Sequence, residues 1–221
     1  MSRIRIKFSR NEQLKYIGHL DMMRAWHRIL RRANVPLAYS EGFNPHPKMV
    51  FASPLALGIL STAELLDVYL TNDTLSAVAF SEMVKRELPD GLSILQTAIV
   101  PNELPPLPAV VCKAEYLIKA ACDDAEKLAV DIQAVLDADH IDWEQVKKGV
   151  VKTYDIREKI FGLSLVSSSN GIVEVSTLLQ CDNTGSGRPE QIAKLLKLEE
   201  VISITRTRLV MAEPVQEEQE K

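Results

Sequence analysis

The chain has 221 residues, 46% hydrophobic and 25% charged, enough for two small globular domains or one larger one. No apolar run approaches the roughly 20 residues that span a bilayer, and the start, MSRIRIKFSR, lacks the apolar core of a signal peptide. A cytoplasmic location is therefore expected and a membrane partner is not. The formal net charge is −4, yet residues 1–54 hold ten Lys or Arg against three acids, a basic block on an acidic chain. That asymmetry points to an anionic partner, polyphosphate or the acidic face of a protein, while a pI near 5.7 argues against bulk coating of nucleic acid.

The first element is a strand. Ile4, Ile6 and Phe8 alternate with Arg3, Arg5 and Lys7, so one face is apolar and the other wholly basic. A helix follows over roughly residues 18–34. At about 100° per residue, Met22, Met23, Trp26, Ile29, Leu30 and Ala33 share an apolar arc, and Arg24, Arg28, Arg31 and Arg32 gather opposite it. Pro36 helps to end the helix. The loop SEGFNPHP, residues 40–47, has two X-Pro steps that stiffen it and Gly42 for a positive φ. Strands are expected at 48–53, 64–71 and 92–100, with a helix at 74–88 capped by Asp73. The order βαββαβ is that of a ferredoxin-like domain.

Residues 101–108, PNELPPLP, hold four of the eleven prolines and read as a stiff linker. The second half repeats the plan. It has strands at 115–121 and 150–156, and a helix at 123–138 with Asp123 and Glu126 at capping-box spacing. A hairpin at 163–179 turns at Asn170-Gly171, a helix begins at Pro189, and a strand at 201–211 closes the half. The expected fold is α+β, two tandem ferredoxin-like domains with antiparallel sheets. Residues 1–100 form the first, 101–111 the linker, 112–211 the second and 212–221 a disordered acidic tail.

Several clusters could carry chemistry. The basic strand and helix, Arg3, Arg5, Lys7, Arg24, Arg28, Arg31 and Arg32, with Lys48, could contact phosphates. In the stiff loop, Phe43 could stack on a base and Asn44 could bond one. His19 and His46 are candidate acid–base residues, although a helix-start cap and a structural loop histidine are the more ordinary roles. Gly187 and Arg188, before the Pro189 helix, could bind an anion. Cys112, Cys122 and Cys181 are too few and too widely spaced for a disulfide framework or an iron–sulfur cluster. No metal or cofactor is expected.

The run Gly18-His19-Leu20-Asp21, Arg24, Arg28, Arg32-Ala33, Pro36, Ser40, Gly42 to Lys48, Pro54-Leu55 and Gly58 resembles the radical SAM-linked (radical SAM-associated) protein family of bacteria. Asp155-Ile156-Arg157 and Arg188-Pro189 are weaker matches further on. In that family the domain stands alone or is fused behind a radical S-adenosylmethionine enzyme. The resemblance thus implies a working partner of such an enzyme, here a separate protein. It supplies no catalytic residues. The function expected is an RNA-binding accessory protein for a radical SAM enzyme that modifies tRNA or rRNA, with no DNA partner. Two alternatives stay open, a protein-interaction module without RNA and a metal-independent RNA-processing enzyme.

Overall fold

The computed structural model describes residues 2–147 and 149–212. The expected acidic tail therefore lies, beyond Ala212, outside the described residues.

The first half runs β1 (Ser2–Arg10), α1 (His19–Arg32), β2 (Met49–Phe51), β3 (Leu60–Leu70), α2 (Ala77–Lys85) and β4 (Leu92–Val100). The second runs α3 (Leu107–Val110), β5 (Val111–Ala121), α4 (Ala125–Asp137), β6 (Asp142–Lys147), β7 (Val150–Asp155), β8 (Ile160–Ser169), β9 (Ile172–Asp182), β10 (Gly185–Ser186), α5 (Pro189–Leu195) and β11 (Val201–Met211). The caps correct two expectations by a residue or more. Ser76, not Asp73, caps α2 by accepting from the Ala79 N–H. Asp124, not Asp123, caps α4 by accepting from the Lys127 N–H at 2.8 Å. The Asn170-Gly171 turn forms as expected, with φ of 52° and 71°.

The mixed α+β character is borne out, but the two halves do not make separate sheets. Nine strands form one continuous, mostly antiparallel sheet in the order β10-β9-β5-β11-β3-β1-β4, with β2 beside β3 and β8 beside β9. The halves join where β11 runs parallel to β3, Thr205 and Arg206 opposite Leu60 and Ser61. Period-two burial explains the layering. Ile4, Ile6 and Phe8 meet Leu66, Val68 and Leu70 under α1 and α2. Ala114, Tyr116 and Ile118 meet Val173, Val175 and Leu179 under α4 and α5. α1, α2, α4 and α5 thus cover the same face.

At the seam, Arg206 is buried and holds Glu64 with guanidinium–carboxylate contacts of 2.6 to 2.9 Å. It also donates to the carbonyls of Ser53 at 3.2 Å and Pro54 at 3.4 Å. Burial opposes its charge, but the Glu64 carboxylate more than offsets that, and the Arg206 pKa ends above its ordinary value.

The extra strand of the second half belongs to the β6–β7 hairpin, a small sheet of its own. His140 clasps its base, with Nε2 2.8 Å from Asp142 and Nδ1 2.8 Å from Asp155. The bond to Asp142 is the first cause that raises the His140 pKa. N–H donation from Ile141 and then Arg157 lowers that of Asp155. The raised group stabilises the clasp below its unfolded value of about 6.5 and loses this as pH climbs through the folded value. The depressed one stabilises it above about 4 and loses this on acidification. Amide protection in the hairpin, corrected for intrinsic exchange, is therefore expected to be higher near pH 5.5 than near pH 8.5. The difference should disappear in His140→Asn.

Candidate nucleic-acid interface

The seam leaves a trough on the helix-covered side, floored by the β2 strand and the segment after it. At one end lies a cavity of about 910 Å³ between α1 and the stiff loop. It continues across Met23, Met49 and Val50 into a cavity of about 680 Å³ that reaches the β10–α5 segment. Arg188 and Glu190 then lead to a third, about 360 Å³, walled by Trp143 of the β6–β7 hairpin and Lys194 of α5. Tyr154 of that hairpin accepts a 2.6 Å bond from Gln191 of α5, which fixes the hairpin there.

Helical spacing positions the α1 wall. Met22, Trp26, Ile29 and Leu30 are buried. The next sector of the helix turns His19, Met23, His27 and Arg24 to the trough. Arg28 and Arg31, both exposed, extend the same rim. Neither has an ion-pair partner among the described residues. Arg24 pairs with Asp21 at 2.9 Å, but both ends are exposed and the pair is weak. Arg32 falls on the far side and is tied to Glu87 at 2.9 Å.

The loop forms the facing wall. Ser40 and His46 close it reciprocally, Ser40 N–H to the His46 carbonyl at 2.8 Å and His46 N–H to Ser40 Oγ at 3.0 Å. Lys48 is fixed by its backbone between Ala38 and Tyr69, at 2.7 and 3.0 Å, and lines the cavity from a rigid ribbon. Gly42, at φ 116°, turns the tip, where Phe43 is fully exposed and Asn44 exposed. The cavity beside α1 gathers Arg24, His27, His46 and Lys48 with no carboxylate in its lining. A separate cleft of about 380 Å³ between α4 and the turn after α5 carries Asp123, Asp124, Asp131, Glu199 and Glu200, a field that repels phosphate.

His19 and His46 do not share a centre. His19 packs on Phe51, ring centroids 5.4 Å apart, in the middle cavity. Its pKa is lowered, chiefly by burial. His46 instead neighbours His27, whose pKa is lowered first by burial and second by the His46 charge. Among the described residues no group of three or more His, Cys, Asp or Glu is placed to hold a metal.

Several expected contacts are corrected. The open face of β1 is not free. Arg3 is buried, bonded to the carbonyls of Pro101 and Pro105 and 3.8 Å from Asp67. Arg5 makes a two-pronged pair with Asp67 at 2.7 and 2.9 Å. Lys7 lies beside them on the helix-free face, with Arg208 and Met211. The strand and helix cations thus sit on opposite faces of the sheet, and one buried acid, Asp67, is shared by two of those on the strand. Arg3→Ala is expected to leave RNA affinity within about twofold while costing on the order of 1–3 kcal/mol in denaturant unfolding, through its lost charged bonds.

At the other end of the trough, the Gly187 N–H is taken by the Gln180 carbonyl at 2.9 Å, and the Arg188 N–H by Gln191 Oε1 at 3.3 Å. Backbone anion binding at this turn is therefore unavailable. Gly187 serves close packing instead, since a Cβ there would stand 3.0 Å from that of Leu179. The Arg188 side chain itself is exposed and lines the trough.

Sequence reasoning missed Met23 and Met49 as trough walls, and Glu64 with Arg206 beneath the floor. An acid at a core-facing position of a period-two strand was the available signal for Glu64.

Among the described residues no helix is long and apolar enough to cross a membrane. No curated protein matches the sequence. Among solved structures, a chain of a Cbf5–Nop10–Gar1 complex is similar over 93% of this chain and 48% of its own length, with 11% identity and a TM-score of 0.52. A chain of the archaeal box H/ACA sRNP Nop10–Cbf5 complex is similar over 94% and 48%, with 9% identity and a TM-score of 0.49. The likeness is one of fold, and this chain spans about half the length of those it matches. The family model that matches covers residues 3–189, and the chain therefore belongs to a family of uncharacterized proteins conserved in bacteria (DUF2344).

Proposed function

We propose that this chain binds RNA along the trough, with phosphates on Arg24, Arg28, Arg31, Lys48 and Arg188 and bases against the apolar floor. One observation carries the reading. α1 and the stiff loop that follows it bring unburied cations to the mouth of one acid-free cavity whose floor is apolar. Cations tracking a backbone beside surfaces that accept bases are what single-stranded RNA requires.

The finer reading is an accessory protein for a radical SAM enzyme acting on tRNA or rRNA. It is supported by the resemblance of the first 60 residues, whose shared positions His46, Pro47, Lys48, Arg24 and His19 all line the trough. Reading each half as ferredoxin-like is supported by the strand orders β4-β1-β3-β2 and β11-β5-β9-β8.

Fluorescence anisotropy with a labelled single-stranded RNA, titrated from about 50 to 200 mM salt, tests the binding. Five phosphate contacts give a log–log slope near −3.5. A slope near zero, or no binding at the lowest salt, refutes the reading.

A further inference from the structure

The trough's cavities differ in chemistry. The middle one carries Asp182 and Glu190 beside Arg188. The one beside α1 has no acid, and its about 910 Å³ falls in the range of small-molecule sites. Resting on the RNA-binding reading, we propose that the cavity beside α1 receives one unpaired RNA base, its flanking phosphates held by Arg24 and Lys48.

A base needs two apolar faces and a fixed polar edge. Met23 and Met49, on facing walls, bring polarizable thioethers to the cavity. Ser40 and His27 supply the edge. Ser40 Oγ, which accepts the His46 N–H at 3.0 Å, keeps its own hydrogen to donate. His27, held towards its neutral form by burial and by His46, offers one donor and one acceptor.

The site is also rigid. The Ser40–His46 bonds and two X-Pro steps fix one wall and a helix fixes the other, so little ordering remains for binding to bring about. A duplex keeps its bases stacked and paired, so only a bulge, a loop or a single strand can deliver one here. The ligand class is therefore RNA with an exposed nucleotide.

The experiment compares three labelled hairpins of equal length: one with a single-nucleotide bulge, one fully paired, and one with an abasic residue at the bulge. Anisotropy at one salt concentration should show the bulged hairpin at least about tenfold tighter than the other two, the worth of one stacked base. Met23→Trp, which fills the cavity, should erase that preference while keeping salt-dependent binding to the paired hairpin. His27→Ala, which removes the proposed donor and acceptor of the polar edge, gives the same readout if Met23→Trp does not fold. Equal affinities for the three hairpins, with salt dependence intact, overturn the pocket and leave RNA binding standing. Binding of none of them overturns both.

Discussion

Reversing two charges at the trough mouth, Arg24→Glu with Lys48→Glu, is expected to weaken binding to single-stranded RNA by roughly 100-fold or more near 100 mM salt. Hydrogen bonds to charged groups contribute about 1.5–3 kcal/mol each, and two lost together give at least about 3 kcal/mol. The salt slope should flatten by about 1.4, since each lost phosphate contact removes about 0.7 on single strands. Arg24 gives up only an exposed partner, Asp21, and Lys48 has none among the described residues, so the fold should be indifferent to the change. Lys7→Glu with Arg208→Glu is the matched control. It alters the same net charge on the helix-free face and should reduce affinity by only the few-fold expected of a distant field. A control that loses as much as the trough variant would place the ligand on the wrong face.

The second large effect lies under the trough floor. Arg206→Met leaves Glu64 buried without its partner, at a cost of about 3–5 kcal/mol. For a chain of this size that lowers Tm by on the order of 10 °C. Arg206→Met with Glu64→Leu should recover most of the loss, because apolar side chains of similar volume replace a buried pair at little cost. RNA affinity should not recover with it. Arg206 also holds the Ser53 and Pro54 carbonyls, and these residues line the middle of the trough. Calorimetry on the single and double variants, set beside their RNA affinities, separates the two roles. If stability and affinity return together, Arg206 positions nothing.

Local pattern made much of the fold legible. Alternation in Ile4, Ile6 and Phe8, the apolar arc of α1 and the Asn170-Gly171 turn each follow from chemistry within ten or so residues. The single sheet was not legible, because it depends on β11 meeting β3 in parallel, a pairing of two short stretches more than 140 residues apart. The same limit explains the misplaced basic face. Period two puts Arg3, Arg5 and Lys7 on one side of β1, but nothing local says that Asp67 lies across the sheet or that linker carbonyls will cover Arg3. The helix cations could be read correctly, since α1 displays them to solvent whatever the topology. His19, His46 and Arg188 were each singled out, yet their shared trough exists only because the seam brings α5 towards α1.

Photocrosslinking a single-stranded RNA that carries 4-thiouridine, followed by mass spectrometry of the protein peptides, tests the trough as the ligand site most directly. The expected adducts fall on α1 between Leu20 and Arg31, on the loop and strand from Phe43 to Phe51, and at Arg188. Adducts confined to Lys7, Lys113 and Arg208 on the helix-free face would contradict it.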